Sequence, residues 1–300
     1  MKNSPFRHVA VAIDDSPAAK AALSIALSIV APDGELAFVH AINRAMVIAE
    51  CGSPYGGDPG PAIDAFEQDE RDLFSAAAAR AKKHGLRSTT HALDGSAGSS
   101  IADFIRTGRY DAVVIGTHAR QGLVRLVLGS TADTVLRASP VPTFVTSEVD
   151  VSRIEAGIHH LLVAVDGSEP AAAAVRCAVA FAQTCGAEIA FAYVTEDDAA
   201  HQAQAQTTIA RARHDAARAN VRSNIAILAG RPDQAIVSAA EATHADLIVI
   251  GTHGRTGLTH LRLGSVAEAV IRSAPLPVMV IPAGAPVAAA AVPSAVTAIG

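Results

Sequence analysis

The sequence predicts an α/β fold made twice: two tandem open five-stranded parallel sheets with helices on both faces, a Rossmann-like arrangement. Three observations carry this. Short apolar runs alternate with helix-like stretches five times in each half of the 300-residue chain, the pattern of a parallel sheet covered on both sides. A glycine-rich stretch occurs twice, at an offset of 135 residues. The later copy is Gly251-Thr252-His253-Gly254, a nine-residue spacer and Gly264-Ser265; the earlier is Gly116-Thr117-His118-Ala119, the same spacer and Gly129-Ser130. Ser139-Pro140-Val141-Pro142 and Ala274-Pro275-Leu276-Pro277 also stand at matching positions.

The elements follow in order. Residues 8–14 read as a buried strand ending in Asp14, and Ser16-Pro17 as a helix start with serine as the cap. That helix runs to about residue 30, and Gly34 turns the chain into strand two, 35–43. Residues 44–61, which end in a Gly/Pro-rich run, read as a loop. A charged amphipathic helix over 62–84 precedes strand three, 88–94. A helix over 97–106, strand four at 111–116, a helix over 130–138 and strand five at 141–146 complete the first unit. A polar linker leads to a restart: strand 159–166 ending in Asp166, a helix from Ser168, strand 188–195, a helix over 197–220, strand 224–229, a helix from Gly230 to 243, strand 247–251, a helix from Ser265 or Val266 to 273, and strand 278–281. The expected division is domain one at 1–148, linker 149–158, domain two at 159–282 and a disordered, uncharged Ala/Pro/Val tail at 283–300.

Composition narrows the function classes. Half the residues are hydrophobic and 18% are charged, a globular composition. A net charge of −5 gives no electrostatic case for nucleic acid or an anionic membrane surface. Three cysteines, Cys51, Cys177 and Cys185, form no CxxC pair and suit a reducing compartment. No signal-peptide pattern is present at residues 1–8 and no apolar stretch is long enough to span a bilayer, so the expected location is the cytoplasm.

The glycine stretch carries the chemistry. Each copy lies between an apolar strand and a helix start. Glycine bares backbone N–H groups there, and the helix dipole favours negative charge, so the arrangement suits phosphate. GxxxxGK[ST] and GxGxxG are both absent, which argues against a P-loop NTPase and a standard dinucleotide site. In open parallel sheets ligands bind beyond the carboxyl ends of the strands where strand order reverses. A pocket joining Asp166 to Gly251 requires strands one and four to be neighbours.

Gly251, Gly254, Gly264 and Ser265 match G-x2-G-x9-G-[ST] in full, and in this the chain resembles the universal stress protein family in a tandem form, over about residues 6–146 and 158–282. The resemblance implies strand order 3-2-1-4-5 and ATP as the ligand; one Mg2+ held mostly by the nucleotide's phosphates would be ordinary chemistry beside it. Carried onto this sequence, Asp166 meets the ribose, Ala164 and Val165 line the base, and Val194 offers backbone groups to adenine. Ile250, Gly251 and Gly254 admit ribose and phosphates. Gly264, Ser265 and Val266 cradle the phosphates, and Arg255 adds charge. The first half supplies Asp14, Ala41, Gly116, Gly129, Ser130 and Thr131, but Ala119 stands where the second glycine belongs. Either a φ > 0 requirement or crowding of the phosphates would weaken that site. Family members pair through strand five, which implies an internal pseudo-dimer of the two domains and a homodimer as a further step.

Other residues are open to two readings. Asp14, Asp15 and Asp166 suit a general base, a magnesium ligand or a plain helix-opening acid. His118 and His253 suit acid catalysis or loop packing. Twelve histidines show no HxxxH or HExxH spacing. No nucleophile–base–acid set is visible, so the reading is an ATP-binding regulator with at most slow hydrolysis. The alternative is a protein-interaction module in which nucleotide is structural or absent. The protein partners are unknown from sequence.

Overall fold

The computed structural model describes residues 4–51, 60–117, 128–148, 156–195, 199–254 and 263–285. The first half runs β1 (Phe6–Ala12), α1 (Pro17–Ile29), β2 (Val30–Ile42), α2 (Arg44–Cys51), α3 (Gly60–Lys83), β3 (Arg87–Asp94), α4 (Ala97–Thr107), β4 (Ala112–Gly116), α5 (Ser130–Ala138) and β5 (Thr143–Thr146). The second runs β6 (His160–Ala164), α6 (Glu169–Cys185), β7 (Glu188–Thr195), α7 (Ala199–Arg218), β8 (Ser223–Ala229), α8 (Pro232–Ala242), β9 (Leu247–Gly251), α9 (Ser265–Ser273) and β10 (Val278–Ile281).

Both halves have the order 3-2-1-4-5, and they share one sheet: β3-β2-β1-β4-β5-β10-β9-β6-β7-β8. Every pairing is parallel except the seam, where β5 and β10 run antiparallel with Met279 opposite Phe144. The seam is closed by aromatics from both halves. Phe6 meets Phe144 edge-on at 5.6 Å and Phe181 of α6 at 5.8 Å. Strand five is thus no open edge. The sheet has a core on each face. One is built with α1, α3, α6 and α7; the other with α4, α5, α8 and α9. Among the described residues no helix is long and apolar enough to cross a membrane.

Serines open α1 and α6 as the sequence predicts. Ser16 Oγ accepts from Ala19 N at 3.1 Å and Ser168 Oγ from Ala171 N at 3.3 Å, with prolines in the first turn. A carboxylate locks strand one to strand four in each half: Asp111 accepts from the Arg7 and His8 N–H groups, and Asp246 from those of His159 and His160.

Two readings need correction. Residues 44–51 are helix, not loop. Asn43 Oδ1 caps the Met46 N–H at 3.0 Å, and Arg, Ala, Met and Glu are strong helix formers. The breakers begin only at Gly52. Strand two begins at Val30 rather than after Gly34, with a register shift between the Phe6↔Val30 and His8↔Glu35 pairs. Gly34 lies inside that irregularity, where a Cβ would stand 2.7 Å from the Arg7 carbonyl oxygen. Residues 286–300 of the expected tail lie outside the described residues.

Candidate functional site

Strands one and four are neighbours in each half: β1 pairs with β4 and β6 with β9. Helix α6 leaves its strand towards one face and α9 towards the other, which makes the carboxyl ends of β6 and β9 a topological switch point. The glycines of the motif converge there, each for a separate physical reason.

Gly251 ends β9 against the first turn of α6. A Cβ on it would stand 2.7 Å from the Pro170 carbonyl carbon and 2.8 Å from its oxygen. Gly116 meets Ala18 and Ala19 of α1 in the same way, at 2.6 and 2.8 Å. The first glycine of each motif is therefore needed for helix–strand packing within the chain. Gly254 differs. Its φ is outside the left-handed region, and a Cβ there would lie 2.8 Å from Asp166 Oδ2. Glycine here makes room for the carboxylate, so the φ > 0 explanation raised for position 119 does not hold at its counterpart. Ala119, His118 and Arg255 lie outside the described residues.

Asp166 is half-buried and positioned by its own turn, with Oδ1 accepting from Ser168 N at 2.9 Å. Asp14 does the same with Ser16 N, also at 2.9 Å. Ser168 Oγ reaches the His253 carbonyl oxygen at 3.4 Å and ties the helix cap to the glycine loop. Sequence reading assigned Ser168 only to capping; its link to the loop follows from the strand order and is invisible in local pattern. His253 Nδ1 lies 3.1 Å from Thr252 Oγ1.

The third glycine opens a helix. Gly264 and Gly129 are the N-caps of α9 and α5, with φ −64° and −62°, values any residue adopts. The Gly264 N–H donates to the Thr252 carbonyl at 2.7 Å, whereas the Gly129 N–H donates to Thr117 Oγ1 at 3.2 Å. The intrahelical ladder of α9 starts with the Glu268 N–H. The N–H groups of Ser265, Val266 and Ala267 therefore have no acceptor within the helix. Ser265 and Ser130 are exposed, and Val266 and Thr131 half-buried. At Gly129 the nearest atom to an added Cβ is Thr117 Oγ1, at 3.9 Å. Among the described residues this space beside a helix N-terminus is open.

The apolar candidates divide between the faces. Ala164, Val194, Ile250 and Val266 sit on the α8/α9 side, and Ala41 on the corresponding side of the first half. Val165 points to the opposite face, where it lines a cavity of about 90 Å³ between α6 and α7. The equivalent cavity between α1 and α3 is about 450 Å³ and bounded by Asp14, Asp15, Asp69 and Asp72. Three charged residues of α3, Asp69, Asp72 and Arg80, line this cavity. A third cavity, about 190 Å³, lies at the seam, where Arg137 and Ser139 meet Thr252, His253 and Leu263.

Fold and site together define a duplicated α/β protein with a glycine motif at each switch point. The universal stress protein family profile matches residues 5–147 and 157–282, and the chain belongs to this family. It is 29% identical over 180 residues to a universal stress protein of Mycobacterium tuberculosis, a match covering 56% of this chain and 60% of that relative, less than two thirds of its length. It is 32% identical over 136 residues to one of Methanocaldococcus jannaschii, covering 40% of this chain and 80% of that protein. Its fold is that of a universal stress protein from Archaeoglobus fulgidus: TM-score 0.68, 23% identity, 94% of this chain and 97% of the other.

Proposed function

We propose that the second half binds an adenine nucleotide, ATP by preference, and that the chain is a nucleotide-responsive regulator of the stress response. One observation carries the reading: the full glycine motif brings the Asp166 carboxylate, the side-chain-free Gly254 and the first turn of α9 to one crevice. The ribose fits the acid. The phosphates fit the N–H groups of Ser265 and Val266 and the Ser265 hydroxyl, assisted by the positive end of the helix. Ala164 and Val194 stand on the side where the base would lie, and Arg255 is assigned to the phosphates from sequence alone. The first half offers Asp14, Ala41, Gly116, Gly129, Ser130 and Thr131 for a second, weaker site.

Among the described residues no three His, Cys, Asp or Glu side chains converge as a metal site. A magnesium ion would ride on the nucleotide's phosphates with one carboxylate, an ordinary arrangement for that ion. Regulation requires ATP to bind two conformations unequally. The interaction-module reading has its own support, because Gly116 and Gly251 are accounted for by packing alone.

The test is to denature the purified chain and identify any released nucleotide by mass and stoichiometry, then to titrate ATP with magnesium. One nucleotide per chain that Gly254→Asp abolishes supports the reading. No released nucleotide and no binding on titration refutes it and leaves the interaction module.

A further inference from the structure

The ten-stranded sheet ends in two strands that occupy the same place in the duplicated unit, and they are not alike. β3 closes one end and β8 the other. Thr90 pairs with Phe38 and Ala92 with His40; Ile225 pairs with Phe191 and Ile227 with Tyr193. Where the first half carries a threonine and an alanine, the second therefore carries two isoleucines on one face. These are 40% and 57% exposed. An edge strand with exposed apolar side chains and no charge between Ser223 and Ala229 lacks the usual guards against pairing.

We infer that β8 pairs antiparallel with β8 of a second copy, giving a closed two-fold dimer. The backbone has the parity for it. The Ile189 N–H donates to the Arg222 carbonyl at 3.0 Å, so the N–H and C=O groups of residues 224, 226 and 228 face β7. Those of Ser223, Ile225, Ile227 and Ala229 face outward. In a pairing centred on Ala226, Ile225 of each chain lies opposite Ile227 of the other, and Ser223 opposite Ala229. Every outward backbone group then finds a partner, and both isoleucine pairs fall on one face. Arg222 and Arg231 flank the strand but already hold Glu188 and Asp233 of their own chain at 2.7 and 3.1 Å. Pairing thus brings no uncompensated like charges together. The chain already uses this mode of junction once, at the antiparallel β5–β10 seam. Register around Ala226 is self-complementary, so the contact is isologous and closes. Seven residues form a strip roughly 23 Å long. That is narrow for a specific interface, whose low end is about 1,200 Å², so the dimer is reversible.

The test is sedimentation equilibrium of the full chain across the micromolar range, with residue-resolved amide exchange. The expected result is a monomer–dimer equilibrium. Protection of the Ile225 and Ile227 amides should rise with concentration, while Ala226 and Leu228 stay protected throughout. Ile225→Thr with Ile227→Ala installs the residues that the first half carries, and Ile227→Lys adds an edge charge. Each should weaken association at least about tenfold and leave the melting midpoint in place. Four results overturn the inference: a monomer at all concentrations, an open ladder of oligomers, a dimer unaffected by both variants, or concentration-independent protection of the Ile225 and Ile227 amides. The last would mean that another segment of the same chain holds the edge.

Discussion

Gly251→Ala should destabilise the chain far more than Gly129→Ala, although both remove a glycine of the same motif. At Gly251 the new Cβ would stand 2.7 to 2.8 Å from Pro170 atoms, two of them backbone. Ordinary contact begins near 3.4 Å, so α6 or β9 must yield by several tenths of an ångström in a packed core. Overpacking of this kind costs about 1–3 kcal/mol. Gly116→Ala repeats the experiment against Ala18 and Ala19 and should cost the same. At Gly264 the nearest atoms are at 3.1 and 3.3 Å, an intermediate case. At Gly129 the nearest atom of the described residues is 3.9 Å away and φ is −62°, so the change stays within about 1 kcal/mol, the scale of a helix N-cap replacement. Urea denaturation followed by circular dichroism reads the order directly from the midpoints, provided the slopes agree. Nucleotide titration reads the other half: a methyl at 129 should weaken binding in the first half without unfolding it. A Gly251→Ala midpoint equal to that of the parent would refute the packing account of the first glycine.

Phe144→Ala removes a fully buried ring from the seam; a loss of about 3–5 kcal/mol is expected, read as a lower unfolding midpoint and earlier proteolysis between the halves. Asp246→Ala leaves the His159 and His160 N–H groups without their shared acceptor and should cost about 2 kcal/mol, checked by the same denaturation; Asp246→Asn should recover part of it. Burial holds the Cys177 thiol protonated, its pKa pushed up to about 12 from 9.0, so an alkylating reagent at neutral pH should label it only after denaturation. Its stabilising contribution is complete below pH 9.0 and is lost as pH rises towards 12, because the unfolded chain releases the proton first.

The strands were legible because a parallel sheet buried on both faces demands unbroken apolar runs, and Val113-Val114-Ile115 and Leu247-Ile248-Val249-Ile250 are such runs. The helix starts were legible from Ser16-Pro17 and from Ser168 with Pro170, because capping is local chemistry. α2 was missed because its helix formers, Arg44 to Glu50, abut a run of breakers whose signal spread to its neighbours. Asp111 and Asp246 gave no local sign. Their acceptors serve strand one from more than eighty residues away, a relation that only the sheet creates. The same limit applies to the glycines. Sequence grouped Gly251, Gly254 and Gly264 as one phosphate motif, while the structure gives the first to Pro170 and the second to Asp166, and makes the third a helix cap.

The antiparallel seam has a consequence for the two crevices. Because β5 and β10 run in opposite directions, the carboxyl ends of the two sets of parallel strands face opposite edges of the sheet. The last turn of α5 then lies beside the second half's glycine loop. Arg137 and Ser139 share a cavity with Thr252 and His253. Arg137 is held by two bonds to Asp133, at 2.8 and 2.7 Å; that pairing raises its pKa, with Glu268 of α9 contributing. Helix α5 opens at Gly129 and Ser130, in the first half's own loop, and ends at the second half's. Nine residues make it a rod of roughly 13 Å. A helix so short and so well packed moves as a unit. Its last turn, at Arg137 and Ser139, lines the cavity that Thr252 and His253 line from the other half. Joining the units strand five to strand five places Thr252 and His253 of the second half beside the end of a helix that begins at Gly129 of the first.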